Sequence, residues 1–256
     1  MPKATRKYDA MELSLSRRFT HGYLFNASYT YSRLWGNYAG IQNTDEILPS
    51  TYGAAYAGNQ SFFGQTYRPG GNASRAFDQD QIMFDAHGHI GVFGRLATDR
   101  PHVFKFYGAK EFKWGTEVGG FFRLQSGTPV TTQAWSTQSI GMYVEGRGDL
   151  GREPVFSQTD LMVAHTVKLG ETKSLRFEFN MINLFNQKTG VYTYEFFNRR
   201  DHRASTGMQM DGVDLRNGFD WKGLVAAGGS DLDPRYNQQS EFNPGFAGRF
   251  LVKFTF

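Results

Sequence analysis

The chain has 256 residues of which only 39% are hydrophobic, and its mean hydropathy of −0.50 argues against a large soluble core. Phe (24), Tyr (13) and Gly (30) are abundant and Cys is absent, yet no stretch approaches the roughly 18 consecutive apolar residues that a transmembrane helix needs. The formal charge of +4 comes from scattered Lys and Arg and gives no support to nucleic-acid binding, and the N-terminal MPKATRKYDA lacks the apolar segment of a signal peptide.

Strands are predicted wherever apolar and polar residues alternate over about ten positions, the length of a tilted strand that crosses hydrocarbon. The first segment covers 8–18, and the second, rich in aromatic residues on one face, covers 23–34. Between them His21-Gly22 predicts a tight turn. Five further segments follow at 103–112, 117–126, 159–169, 174–186 and 246–256.

One face of these segments is apolar and the other is polar, as in a barrel that shows lipid its outer face. We therefore predict an all-β fold, an antiparallel transmembrane β-barrel. The side chains expected to meet lipid are Met11, Leu13, Leu15, Tyr23, Phe25, Ala27, Tyr29, Tyr31, Phe104, Phe106, Val118, Phe122, Leu124, Leu161, Val163, Val167, Leu175, Phe177, Phe179, Met181, Phe246, Phe250, Val252, Phe254 and Phe256.

The connections between predicted strands alternate between short and long. Turns of a few residues contrast with polar, Gly-rich stretches at 35–102, 127–158 and 187–245, and 81–94 is expected to add strand. Because outer-membrane barrels have short periplasmic turns and long extracellular loops, the odd-numbered strands should descend and the C-terminus should lie in the periplasm. Seven strands do not close a bacterial barrel, so we expect a partial one.

Two sets of side chains are functional candidates. The aromatic residues Tyr31, Trp35, Phe112 and Trp114 are expected to form an interfacial girdle. The inward residues Arg123, Gln125, Arg176, Glu178 and Asn180 are candidates to line a solute path, although pairing with one another or with a plug is the favoured interpretation.

Other motifs are weak. GRGDLG at 146–151 matches a dinucleotide pattern and contains Arg-Gly-Asp, but a flexible loop turn explains it better, since no strand and helix flank it. His87 with His89, and a set of loop aspartates (Asp211, Asp214, Asp231, Asp233), are weak metal or calcium candidates. No nucleophile–His–carboxylate pattern is evident, so no catalytic role, cofactor or metal is assigned.

Four motifs resemble a known family. DRPH at 99–102, FRLQSGTP at 122–129, NLFN at 183–186 and the terminal FLVKFTF resemble TonB-dependent outer-membrane receptors, most closely the Oar-like subgroup with a carboxypeptidase-regulatory-like domain. The resemblance implies a plugged barrel of about 22 strands in the cell outer membrane, of which residues 1–256 would be a C-terminal portion. The signal peptide, the plug and the earlier strands are expected to lie outside this chain.

Family membership would also imply a function and partners. Such receptors take up scarce or large solutes with energy relayed by TonB, which contacts an N-terminal region outside this chain. Partners would be outer-membrane lipid, the missing plug and strands, and the barrel-assembly machinery, which would read Phe250, Val252, Phe254 and Phe256. Nucleic acid is not expected. The alternatives are a smaller outer-membrane barrel that is structural or adhesive through its loops, and a soluble β-sandwich binding module.

Overall fold

A computed structural model describes residues 3–38, 84–137, 141–199 and 206–256. Most of these residues form strands, and one short helix lies in the third long connection. The elements are β1 (Arg6–Thr20), β2 (Tyr23–Gly36), β3 (Gly94–Arg95), β4 (His102–Glu111), β5 (Thr116–Gln125), β6 (Ala134–Trp135), β7 (Gly141–Met142), β8 (Phe156–Lys168), β9 (Ser174–Ile182), β10 (Gly190–Thr193), α1 (Trp221–Ala227), β11 (Gln239–Phe242) and β12 (Ala247–Thr255).

Seven long strands form one antiparallel sheet in the order β1-β2-β4-β5-β8-β9-β12, with β3 paired to the end of β2. All seven predicted segments are confirmed, with ends displaced by a few residues. Strands β1 and β12 are the two edges, so the sheet does not close on itself. The all-β, antiparallel, partial-barrel prediction is therefore correct.

The strand register places the predicted apolar residues in continuous rows on one face. One row runs from β1 to β5 through Leu13, Tyr29, Phe104 and Leu124. Another runs from β5 to β12 through Val118, Val163, Phe179 and Phe250. We call this the outward face. Its side chains do not pack into a core: Leu13 is 57% exposed and Phe250 is 63% exposed.

Short turns close one end of the sheet, as predicted. His21 and Gly22 have φ of 55° and 76°, and two successive positive φ values match the twist of a two-residue hairpin. Position 22 also requires glycine for lack of space, because a Cβ there would lie 2.8 Å from the carbonyl oxygen of Glu111. The β4–β5 and β8–β9 turns lie at the same end, and the three long connections leave the opposite end.

The long connections are not simple polar loops. Their described parts fold together into what we call the loop cap (described residues of 84–101, 126–155 and 183–246), which holds β6, β7, β10, β11 and α1. Its apolar core draws on all three connections and consists of Ala86, Ala134, Met142, Val144, Met208, Met210, Trp221 and Val225. This buried core was not predicted.

The prediction of strand structure at 81–94 is mostly wrong. Residues 81–83 lie outside the described residues, and from Phe84 onward the chain makes one isolated bridge to Ile90 and several turns before β3 begins at Gly94. Backbone bonds lead elsewhere instead: Ala86 N–H donates to Val144 O at 2.9 Å, and Phe219 N–H donates to Ala86 O at 2.8 Å. In the described part of the chain, no helix has the length and apolar character to span a bilayer.

Candidate functional site

The inward face of β9 carries a charged group that is held together by hydrogen bonds. Arg176 Nη2 lies 2.9 Å from Glu117 Oε2, and Arg176 Nε lies 3.3 Å from Glu178 Oε2. Asn180 Nδ2 donates to Glu178 Oε1 at 2.8 Å. Alternate residues of one strand point the same way, so Arg176, Glu178 and Asn180 share a face, and the strand alternation brings Glu117 of β5 to the same side.

Arg123 and Gln125 form a second group, nearer the loop cap. Arg123 Nε donates to Gln125 Oε1 at 2.8 Å, and Arg123 Nη2 donates to the same oxygen. The guanidinium also lies 5.4 Å from the ring centroid of Phe156, and Gln125 is only 5% exposed. The five inward candidates thus form two groups rather than one. Their hydrogen bonds are made among themselves and with Glu117, and a role in lining a solute path stays a prediction.

The four expected assembly-signal residues lie along the outward face of the last strand. Phe250, Val252 and Phe254 pair with Phe179, Phe177 and Leu175 of β9. All are half exposed or more, and terminal Phe256 is 89% exposed. An apolar stripe on an edge strand is chemically suited to recognition by another strand or by lipid, but its reading by the assembly machinery stays a prediction.

The expected girdle residues lie at two levels. Phe112 and Trp114 stack at 4.5 Å between ring centroids in the β4–β5 turn, and Trp114 is 66% exposed. At the other end Tyr31 is 49% exposed, while Trp35 is half-buried beneath the guanidinium of Arg33, 4.7 Å from the ring centroid. Trp35 pairs with Lys7, so this level of the sheet is polar. The girdle role stays a prediction.

The DRPH and FRLQSGTP motifs contact a common arginine, Arg152, at the base of the loop cap. Asp99, 2% exposed, accepts a hydrogen bond from Leu34 N at 2.6 Å and forms an ion pair with Arg152. Arg152 Nη1 also donates to the carbonyl oxygens of Asp99 and Gly127, each at 2.9 Å. Gly127 permits this approach, because a Cβ there would lie 1.8 Å from Glu153 O. These contacts join the ends of β2, β4, β5 and β8.

Arg100 extends the same junction. Its Nη1 donates to Ser126 O at 2.7 Å, and Ser32 Oγ donates to Arg100 O at 3.0 Å. Burial, followed by the nearby positive charges of Arg123 and Arg152, lowers the pKa of Arg100 from its usual value. Asp99 and Arg100 are therefore structural anchors, a role that the sequence patterns alone did not assign.

The NLFN motif closes β9 and ties it to the segment before β12. Asn183 and Asn186 each have φ of 50°, a left-handed conformation that Asn tolerates better than most residues. The Asn183 side chain donates to Gln187 O at 2.9 Å and to Pro244 O at 2.7 Å. Asn186 Oδ1 accepts from Phe246 N at 3.0 Å. Both asparagines thus serve the geometry of the β9–β12 connection.

Comparison with known proteins places these features in a family context. A curated relative is the TonB-dependent transporter Oar of Myxococcus xanthus, 29% identical in a 202-residue alignment that covers 76% of this chain. The chain is related to the Oar-like TonB-dependent receptors. The chain spans 16% of the length of that transporter. No protein-family model matches the chain, and no solved structure matches it.

In this Oar-related chain the loop histidines pair with carboxylates. His87 Nε2 lies 2.9 Å from Glu145 Oε2, and His89 Nδ1 lies 2.9 Å from Asp85 Oδ2. Among the described residues, no three His, Asp or Glu side chains converge in a way that could hold a metal ion. Asp233 is instead bound to Arg235, whose hydrogen bonds lower the pKa of Asp233 to about 2.

The GRGDLG segment of this Oar-related chain is a turn of the loop cap. Gly146, Gly148 and Gly151 have φ of 86°, 75° and 90°, and the segment connects β7 to β8 with no helix between them. Asp149 accepts a hydrogen bond from Thr132 N at 2.7 Å, so its carboxylate is engaged within the cap. The turn interpretation therefore explains this motif.

Proposed function

We propose that this chain forms part of the barrel wall of a TonB-dependent transporter in the outer membrane, which takes up a solute. The complete barrel would have about 22 strands, with a plug and earlier strands supplied outside this chain. TonB would act through an N-terminal region, and the barrel-assembly machinery would recognise the last strand. Support comes from the relationship to a TonB-dependent transporter and from the polarity of the sheet.

The observation that carries the proposal is the contrast between the two faces of the sheet. Apolar rows cover the outward face from β1 to β12, whereas hydrogen-bonded charged groups lie inward. A soluble monomer rarely exposes a contiguous apolar patch of this extent, because its contact with water is unfavourable. In lipid the same face is solvated, and the inward charges meet water or a plug.

The loop cap lies where a receptor first meets its solute. All three long connections leave one end of the sheet, and outer-membrane barrels place long loops outside the cell. The cap has its own core, so it presents a defined surface rather than a set of independent loops. This arrangement supports solute capture by the cap, followed by passage through the complete barrel.

Uptake by cells expressing the protein that carries this chain tests the proposal. Spent medium is compared by mass spectrometry between expressing and non-expressing cells, each with and without TonB function. We expect one set of solutes to be depleted only when both proteins are present. Depletion that persists without TonB would exclude energy coupling. TonB-independent surface adhesion without any depletion would favour the structural or adhesive barrel instead.

A further inference from the structure

Two cations flank one aromatic ring on the outward face beside the short turns. Arg17 Cζ lies 4.1 Å and Lys110 Nζ lies 5.1 Å from the ring centroid of Tyr23. The register explains the cluster: Tyr23 pairs with Lys110 of β4, and Arg17 stands near the end of β1, just before a β-bulge. All three residues follow the alternation of the apolar rows, so they share the outward face.

Neither cation is neutralised within the described part of the chain. No ion pair involves Arg17 or Lys110 there. Lys110 Nζ donates a 3.4 Å hydrogen bond to the backbone carbonyl oxygen of His21, which carries no charge. Arg17 Nε is buried without a hydrogen-bond partner. The neighbouring acid on β4, Glu111, points to the opposite face because successive strand residues alternate. The cluster therefore holds excess positive charge and unused donors.

The opposite rim of β1 and β2 differs in charge. There the outward positions beyond the apolar rows hold Asp9 opposite Arg33, with Lys7 opposite Trp35, so cation and anion occur together. On this mixed rim the carboxylate of Asp9 competes with an external anion for the cations, so the rim is less suited to bind one. The cation-only cluster at the short-turn end has such a preference, and a phosphate is the anion that guanidinium and ammonium groups bind well.

We propose that Arg17, Tyr23 and Lys110 bind the phosphate of an anionic phospholipid headgroup at the membrane interface next to the short turns. This inference rests on the proposed function, since it requires the outward face to meet lipid. The guanidinium and ammonium groups would pair with phosphate oxygens, and the Tyr23 ring would hold both cations at the headgroup level. Acyl chains would lie along the next outward positions of β1 and β2, where Leu15 pairs with Ala27 and Leu13 pairs with Tyr29.

Lipid titration of the purified protein that carries this chain tests the inference. The detergent-solubilised protein is titrated with dioleoyl phosphatidylglycerol or with zwitterionic dioleoyl phosphatidylcholine, and bound lipid is counted by native mass spectrometry. In the R17Q/K110Q variant we expect phosphatidylglycerol binding to weaken roughly tenfold or more. Phosphatidylcholine binding should weaken much less, because its choline ammonium already offsets the charge of its phosphate. Inorganic phosphate should not displace the lipid, because the free ion lacks the acyl chains.

A matched control removes the same charge from the opposite face. The K105Q/K253Q variant changes two inward cations on β4 and β12 and should bind both lipids like the unmodified protein. The R17K/K110R exchange should restore most of the phosphatidylglycerol affinity, whereas Tyr23→Leu should give an intermediate loss. Equal losses in both glutamine pairs, or no loss in either, would overturn the site. Displacement by millimolar inorganic phosphate would overturn the lipid assignment.

Failure of the site and failure of the proposed function give different results. A membrane barrel runs faster in cold than in boiled SDS gels and needs detergent for extraction, and all variants should keep both properties. Unmodified protein that is water-soluble and binds neither lipid would contradict the barrel wall itself. Detergent-dependent protein that binds phosphatidylglycerol equally with and without Arg17 and Lys110 would contradict the headgroup site alone.

Discussion

Asp99 shows how a single buried carboxylate can organise several strand ends. It is 2% exposed, and its two oxygens are used separately, one by Leu34 N and the other by Arg152. Arg152 in turn binds two backbone carbonyl oxygens. A buried charge of this kind is tolerated because its partners compensate for lost hydration, so the removal of one partner leaves the others unsatisfied.

We expect Asp99→Ala to destabilise the loop cap by on the order of 3 kcal/mol. The reason is that Arg152 loses its anion and Leu34 N loses its acceptor together. Asp99→Asn should cost less, since an amide oxygen can still accept from Leu34 N. Denaturant titration of the detergent-solubilised protein, followed by tryptophan fluorescence, ranks the stabilities of the two variants. Exposed Asp211→Ala is the control, and equal effects of Asp99→Ala and Asp211→Ala would refute the anchor.

Asp233 gives the loop cap a pH dependence. Arg235 hydrogen bonds lower the pKa of Asp233 from its usual 3.8 to about 2. A depressed carboxyl pKa means that the pair stabilises the folded cap fully above about pH 4, and that this contribution is lost as pH falls toward 2. A pKa shift of this size corresponds to a contribution of about 2 kcal/mol, and solvent screens it little because the Asp233 side chain is almost fully buried.

The Asp233→Asn variant tests this dependence. At pH 5 its cap should unfold at lower denaturant than the unmodified cap, by the equivalent of about 2 kcal/mol, whereas near pH 2 the two should converge. Asp231→Asn removes an exposed acid from the same segment and should track the unmodified protein at both pH values. A gap between Asp233→Asn and the unmodified protein that stays constant with pH would show that charge is not the cause.

At the scale of the strands, adjacent residues of β8 have opposite surroundings. Val163 lies outward in the row with Val118 and Phe179, and Met162 lies inward between Gly119 and Asn180. An arginine on the lipid face near the bilayer midplane costs about 2–4 kcal/mol, but an inward one can reach water. Val163→Arg should therefore impair folding in bilayers strongly, and Met162→Arg should cost about 1 kcal/mol or less.

Folding yield into lipid vesicles, scored by cold and boiled SDS gels, measures both variants. The substitutions are matched, since each replaces a half-buried apolar residue of β8 with arginine and the two positions are adjacent. If the two variants fold equally well in lipid, the assignment of outward and inward faces is incorrect. If Met162→Arg is the more damaging change, the sheet faces the membrane with its charged side.

Strand structure was predictable from the sequence, and the loop cap was not. The alternation of apolar and polar residues is a local signal, so each of the seven segments could be recognised within about ten residues. The cap core instead joins Ala134, Met142 and Met208 from separate connections, and no period links them. Helix α1 is seven residues long, too short for a helical pattern to stand out.

The same distinction applies to the candidate sites. Inward residues such as Arg123 and Arg176 could be assigned to a face from alternation, but their partners depend on strand order and register. Arg17 was the second-last residue of its predicted segment, 8–18, and carried no signal of its own. Only pairing with β2, and of β2 with β4, brought Arg17 and Lys110 to the Tyr23 ring.

For the molecule as a whole, the unequal connections predict the direction in which it crosses the membrane. The short turns should lie in the periplasm, and the loop cap should lie on the extracellular side of the membrane. The chain contains no cysteine, so single substitutions to cysteine give sites without background from this segment. Lys222→Cys on α1 and Lys113→Cys in the β4–β5 turn are matched exposed lysines at opposite ends.

We expect a membrane-impermeant maleimide to label Lys222→Cys in intact cells and Lys113→Cys only after the outer membrane is permeabilised. Val163→Cys, on the outward face midway along β8, should resist the reagent in both conditions, because its thiol would lie in hydrocarbon. Labelling of Lys113→Cys but not Lys222→Cys in intact cells would reverse the orientation. Ready labelling of Val163→Cys would place the apolar rows in water, which neither orientation of a barrel wall permits.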